Sequence, residues 1–481
     1  MSLLRQVAHN TALQFSGKMI GTAVGLFVAI ITFRYLGDEG TGNMNTAMSF
    51  VQLFGIAMDL GLYVVLLKHI SSSANADGEL QNNIFSFRAV TAIVFLMMAV
   101  GSVWLIPQYP VIVKWGVLVI AANFFFITMN QLFQAIFQQH LAMGWVAIAE
   151  VASKLTLLLS TVSVIYIFNS NVLFILAAIV LAGMVQSLVL WIASRRYTRL
   201  HWAFNATIWK QVLRESWPIA VAIALNLIYF KAGTIILSIF HSQATVGIYG
   251  VPFKMLEVLI TIPAMLAGLL MPVLSQRFQH QDLTSFTTLY QRTLNLLWIL
   301  AAPMIVGGWF LAQPLMLLLA GDQFTDDPVV LGQLFRILII AVGAIFLGTL
   351  TGYVVVVINK QRTIIAGYAF VAVTALIAYL WFIPQYSYFG AAWVTVYSEV
   401  TMVLIALWII YRATRARPSW LGLGRVTVAT LIMGMGVYAM QAWPLLMVIP
   451  LSAVLYIGAL LLVKGITMAE LKTTIWKEKT S

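Results

Sequence analysis

Apolar residues run along this chain in blocks of about twenty, separated by short polar turns. An α-helix rises 1.5 Å per residue, so roughly 20 apolar residues cross a hydrocarbon layer about 30 Å thick. Blocks of that length fall at 11–33, 44–67, 84–106, 115–137, 145–168 and 172–194. A polar, basic stretch follows at 195–216. Six more blocks cover 217–240, 247–274, 292–320, 329–358, 363–383 and 388–411, and two shorter ones cover 425–443 and 445–464. The pattern predicts an all-α polytopic membrane protein of about fourteen transmembrane helices.

Polar positions inside these blocks recur every three to four residues. The first block has Asn10, Gln14, Lys18 and Thr22, and the second has Asn45, Ser49, Gln52 and Asp59. The fifth has Glu150, Ser153, Lys154 and Thr161, and the eighth has Lys254, Glu257 and Thr261. That spacing lines one helical face. Polar groups are costly in lipid, so such faces are expected to border a water-accessible cavity.

Composition agrees with the pattern. Of 481 residues, 62% are hydrophobic and only 9% charged, against roughly 25% charged in soluble domains. The absence of cysteine excludes disulfides and thiolate metal sites. No cleavage site follows the first apolar block, so it is expected to be retained. The net charge of +12 need not mean nucleic acid. With the N-terminus inside, eighteen of the 27 Lys and Arg fall in inner segments, and only Arg34 and Lys114 fall outside. This bias predicts both termini on the cytoplasmic side of the cell membrane and an even number of spans.

The chain also repeats. Under a shift of 205 residues, Leu3-Leu4-Arg5-Gln6-Val7 lies over Ile208-Trp209-Lys210-Gln211-Val212, and His9-Asn10-Thr11 over Arg214-Glu215-Ser216. Gly42 then lies over Gly247, and Ser49 and Gln52 lie over Lys254 and Glu257. Six helices separate the copies, so they share one orientation. The expected organisation is two pseudo-symmetric six-helix lobes, 1–194 and 217–411. A cytoplasmic basic amphipathic linker, 195–216, joins them, and 412–481 forms an appended helix pair and tail. Parallel repeats of this kind are a transporter architecture.

Five cations sit deep within the blocks: Lys18, Lys154, Lys231, Lys254 and Arg336. Counted at 1.5 Å per residue, Lys18 lies about 10 Å in from its boundary and Lys154 about 14 Å. They are the candidate substrate-binding residues. Arg34, Arg88 and Arg292 stand at block ends, where snorkelling to the interface competes with a further substrate contact. Asp59, Glu150, Glu257 and Glu399 are the deep acids, either ion-pair partners or carriers of a coupled ion. Glu150 precedes Lys154 by four residues and Glu257 follows Lys254 by three, both suitable for pairing. Cations at several depths, in excess over acids, suit an anionic head group such as a phosphate or pyrophosphate.

The first interhelical turn reads Phe33-Arg34-Tyr35-Leu36-Gly37-Asp38-Glu39-Gly40-Thr41-Gly42, followed by Met58-Asp59-Leu60-Gly61-Leu62. This resembles the N-terminal signature of the polysaccharide-biosynthesis flippases of the multidrug/oligosaccharidyl-lipid/polysaccharide exporter superfamily. Length, helix count and the six-plus-six repeat agree with it over nearly the whole chain. The resemblance implies a two-lobe fold and passage of a polyprenyl-pyrophosphate-linked oligosaccharide from the inner to the outer leaflet by alternating access. It also implies a monomer with lipids and other polysaccharide-assembly membrane proteins as partners, and places Arg34 and Asp59 on motif positions.

Two other readings stand beside it. A multidrug-type exporter of the same superfamily would share the architecture. A membrane polymerase or ligase acting on lipid-linked sugars would need catalytic groups on an outer loop. Asp322, Asp326 and Asp327 are the only acidic cluster outside, and read as a solvated loop. No phosphate-binding glycine loop is present. The expectation is a transporter with no enzymatic activity, cofactor or metal.

Overall fold

The computed structural model describes residues 3–59, 62, 79–168, 171–198 and 200–465. Every regular element among them is helical. Twelve helical runs are long and apolar enough to cross a membrane. Two of these runs are double. Leu3–Asp59 breaks at Gly37 (φ 64°, ψ −168°), and Gln361–Thr414 breaks at Ser387 (φ 50°, ψ −132°). A straight helix of 54 residues would be roughly 80 Å long, more than twice the hydrocarbon thickness. Counting each double run as two passes gives the fourteen expected.

Boundaries differ from the sequence pattern in instructive ways. The turn at 34–43 contracts to Gly37, because glycine alone adopts its positive φ without steric cost. The basic segment at 195–216 is a linker only as far as Asn205. There the Asn205 Oδ1 accepts the Thr207 and Ile208 amides at 3.1 and 3.4 Å, and the helix Ala206–Phe240 starts. The linker is also tied down. The His201 amide donates to Asn82 Oδ1 (3.1 Å) and the Ala203 amide to Ser86 Oγ (2.9 Å). Trp202 and Phe204 stand exposed beside it.

The block at 247–274 becomes two helices, Gln243–Leu259 and Thr261–Gln279. Pro263 explains the break: it has no amide for the Leu259 carbonyl, and its ring crowds that carbonyl. Pro252 and Pro272 lie inside the two pieces without breaking them. The block at 292–320 is Leu283–Phe310 followed by a short helix, Ala312–Ala320. Asp282 caps the longer one, accepting the Ser285 amide at 3.0 Å. The Ser285 hydroxyl and amide, with Arg277 nearby, hold the Asp282 carboxyl below the usual range.

Contacts divide the chain into two compact units. One comprises Met1–Gly250, Asp322–Asp326 and Ala372–Ala391; the other Val251–Gly321, Asp327–Val371 and Ala392–Ser481. The first is built around Phe133, Ile136, Phe137, Val146 and Leu190. The second includes a core of Val426, Ala429, Met433, Val448 and Tyr456, with the Tyr456 hydroxyl donating to the Ile299 carbonyl at 2.7 Å. Lipid offers no hydrophobic drive between helices, so close approach at small residues matters more. A Cβ on Gly308 would meet Ile339 at 3.0 Å, and one on Gly348 would meet Val403 at 2.9 Å.

Candidate functional site

In the first unit, Gly17, Gly21 and Gly25 recur every four residues and form a smooth ridge on the first helix. The helix Gly144–Ser163 packs on it. A Cβ on Gly17 would stand 2.8 Å from Ala147 Cβ, one on Gly21 3.0 Å from Glu150 Oε1, and one on Gly25 3.8 Å from Lys154 Nζ. The absent side chains thus leave room for a column of charge. Lys18 approaches Glu150 Oε1 at 4.0 Å, with the lysine side chain 50% exposed and the glutamate 17%. Gln186 Nε2 donates to the other Glu150 oxygen at 3.2 Å. Glu150 therefore has partners on two neighbouring helices, whereas the sequence had offered Lys154 alone. At such exposure the Lys18–Glu150 attraction is worth about 0–1 kcal/mol.

Lys231 is buried on the helix Ala206–Phe240, at 7% exposure, with Thr234 and Ser238 buried on the same face. Ser238 Oγ lies 2.8 Å from the Tyr109 hydroxyl. Burial raises the Tyr109 pKa, partly offset by that bond. Arg34 is exposed.

Arg88 overturns the snorkelling expectation: it is fully buried and donates to Gln131 Oε1. The helix begins at Glu79 rather than near 84, so Arg88 lies about two and a half turns inside it and is buried. Nearby, Ser187 Oγ donates to Asn130 Oδ1 at 2.6 Å.

In the second unit, Lys254 Nζ lies 3.0 Å from Glu257 Oε2, with side chains 42% and 25% exposed. Arg336 Nε donates to the Trp309 carbonyl at 3.1 Å, satisfying a carbonyl near a helix end. Arg292 is exposed, and Glu399 is buried at 9% exposure. The Asp59 side chain lies outside the described residues.

The structure thus brings Lys18, Glu150 and Lys154 together in one unit and Lys254 and Glu257 in the other, while Lys231, Arg336 and Glu399 occupy separate positions. Gln186 and Gln131, which partner Glu150 and Arg88, were not foreseen. Neither has a periodic signature, because each is defined by a neighbour distant in sequence. The glycine ridge was readable from its spacing of four.

Among the described residues, no three His, Asp or Glu side chains gather as a metal site. Asp327 Oδ1 accepts the Val329 amide at 3.1 Å and starts the helix Val329–Val357.

The all-α, multi-pass membrane fold with its broken helices is shared by solved structures. The lipid II flippase MurJ in an inward closed conformation superposes with a TM-score of 0.75 at 13% identity, over 97% of this chain and 99% of that one. An inward-facing multidrug resistance MATE family transporter of the MOP superfamily gives 0.67 at 14% identity, over 84% and 98%. A MOP superfamily transporter from Pyrococcus furiosus, described as having a binding pocket of reversed polarity, gives 0.61 at 12% identity, over 85% and 96%. No curated protein matches by sequence. The family model for polysaccharide biosynthesis proteins matches residues 7–278, more than half the chain. The chain belongs to that family.

Proposed function

We propose that this protein is a flippase that carries a polyprenyl-pyrophosphate-linked oligosaccharide, or a similar anionic glycolipid, from the inner to the outer leaflet. Family membership and the likeness to a lipid II flippase support the substrate class. The observation that carries the reading is the charged column of Lys18, Glu150 and Lys154 against the glycine ridge. Two cations bracket one acid there, which leaves a net positive charge for a phosphate. Lys231 in the same unit, and Lys254 and Arg336 in the other, are further candidate substrate contacts, as are Arg34 and Arg292.

In this mechanism the two six-helix halves, 1–194 and 217–411, alternate access to the two sides. The pyrophosphate passes between cations, the sugars travel through hydrated space, and the prenyl tail stays in lipid. Asp59, Glu150, Glu257 and Glu399 serve as ion-pair partners of the cations or carry a coupled ion. The break before Pro263 supplies a bend point. Both termini face the cytoplasm, and the protein acts as a transporter rather than an enzyme.

The test is flipping of extracted lipid-linked oligosaccharide in proteoliposomes. Single changes Lys18→Gln, Lys154→Gln, Lys231→Gln, Lys254→Gln and Arg336→Gln are each expected to weaken substrate affinity. A charge-assisted contact is worth about 1.5–3 kcal/mol, on the order of ten- to a hundredfold. Unchanged transport in all five variants would remove the anionic-substrate reading.

A further inference from the structure

The second unit holds a hollow of about 180 Å³ lined by Lys360, Thr363, Trp408, Ile409, Arg412 and Ala413. Its walls come from the two ends of the double run Gln361–Thr414. That run makes two passes, so its first and last turns return to one end of the fold. Two of the lining side chains are cations and none is an acid. Among the described residues, neither Lys360 nor Arg412 pairs with a carboxylate.

The basic residues just beyond the hollow are engaged elsewhere. Arg415 and Arg417 lie over the Tyr411 ring at 5.5 and 4.8 Å, and Arg417 Nη2 donates to the Tyr411 hydroxyl at 2.7 Å. Arg412 is held against Trp408 instead, its guanidinium carbon 4.9 Å from the ring centroid. Lys360 precedes the helix without a side-chain cap, and the first turn holds no acid. A cation at a helix start opposes the helix dipole, so an anion in the hollow relieves that conflict. Thr363 adds an exposed hydroxyl. A general excess of basic residues accounts for their presence at this end, but not for two of them lining one hollow. Two cations and a hydroxyl around so small a space match a phosphate group.

The rest of the surface says what carries that phosphate. Val400, Leu404, Trp408 and Arg412 follow one another at intervals of four and all are exposed. That interval keeps them on one helical face. Tryptophan near the end of a spanning helix marks the head-group level, and the apolar residues before it face acyl chains. A free phosphate makes no use of this stripe, whereas a lipid tail lies along it. We infer that the hollow is a binding site for an anionic phospholipid. Its phosphate sits between Lys360 and Arg412, and one acyl chain runs along Trp408, Leu404 and Val400. Basic pockets beside spanning helices take such head groups, and the two cations disfavour a lipid whose head carries its own positive charge. The site is independent of the flippase reading, so its failure leaves that reading untouched.

The experiment uses the full chain in nanodiscs. The probe is phosphatidylglycerol with a photoactivatable diazirine in one acyl chain, and the matching phosphatidylcholine is the comparison. Peptide mass spectrometry after illumination locates the adducts. The expected result is labelling within 400–408 by the phosphatidylglycerol probe. Excess unlabelled phosphatidylglycerol should displace it, and phosphatidylcholine or inorganic phosphate should not. Lys360→Gln and Arg412→Gln should each reduce the labelling about fivefold, the effect of one basic residue at an anionic surface. Lys114→Gln, which removes a cation stacked on Trp104 in the other unit, should change nothing. Lys360 is exposed, so its change tests the site even if the Arg412 variant folds poorly. Equal labelling by the two probes, or labelling insensitive to Lys360→Gln, overturns the site. Displacement by inorganic phosphate alone overturns the lipid as its occupant.

Discussion

Gly42 and Gly247 make reciprocal contacts across the internal repeat. A Cβ built on Gly42 would overlap the Gln243 carbonyl, and one built on Gly247 would overlap the Asp38 carbonyl. The shift of 205 that carries Gly42 onto Gly247 also carries Asp38 onto Gln243, so the two contacts are equivalent copies related by the repeat. Asn45 lies against Gly250, its own equivalent under the shift, which places this pair on the local two-fold axis. Thr46 Oγ1 donates to Gln243 Oε1 at 2.6 Å beside it. The turns of the two copies therefore meet backbone to backbone, and any side chain at either glycine separates them.

Gly42→Ala and Gly247→Ala are expected to destabilise the folded protein. Overpacking a close contact costs about 1–3 kcal/mol. Because both changes push the same two turns apart, the double variant should lose less than the sum of the singles. Gly101→Ala is the control, since nothing lies within 4 Å of a Cβ there. Melting temperatures in detergent measure all four. A Gly42→Ala protein that melts with the native one would refute the close contact.

Lys18 and Glu150 form the second test. If their approach at 4.0 Å serves only to neutralise charge, the double change Lys18→Gln with Glu150→Gln should transport normally. If Lys18 binds the substrate phosphate, the double variant should remain impaired although it folds. The same cycle applies to Lys254 and Glu257, 3.0 Å apart. Initial flipping rates in proteoliposomes distinguish the outcomes.

Arg88 should matter for folding rather than for affinity. Arg88→Ala removes a buried donor to Gln131. Leaving that amide oxygen unsatisfied costs about 1–3 kcal/mol. The expected result is a lower melting temperature and lower yield, with unchanged substrate affinity in the folded fraction. A stable Arg88→Ala protein with weakened binding would instead make Arg88 part of the substrate path.

The orientation is open to a direct check, because the chain has no cysteine of its own. Thr207 and Gln323 are both exposed. In intact cells an impermeant thiol reagent should label Gln323→Cys and spare Thr207→Cys until the membrane is opened. The opposite labelling would invert the topology.

Membrane class, the fourteen passes and the internal repeat are legible in the amino-acid pattern alone. Each depends on local quantities: apolar length against bilayer thickness, helical spacing of polar residues, and a fixed shift along the chain. Even the column of Lys18, Glu150 and Lys154 was foreshadowed, since all three sit on polar helical faces, and the glycine ridge opposite it repeats every four residues. Partnership and depth came from packing. Glu150 meets Lys18 and Gln186, which come from other helices. Arg88 moved from a helix end to the protein interior because the true start of its helix is set by packing and not by the first apolar residue. The reciprocal fit of Gly42 and Gly247 needed both copies of the repeat in contact. A shift in sequence reveals that two segments are alike, but only the folded chain brings their backbones close enough that neither can carry a side chain.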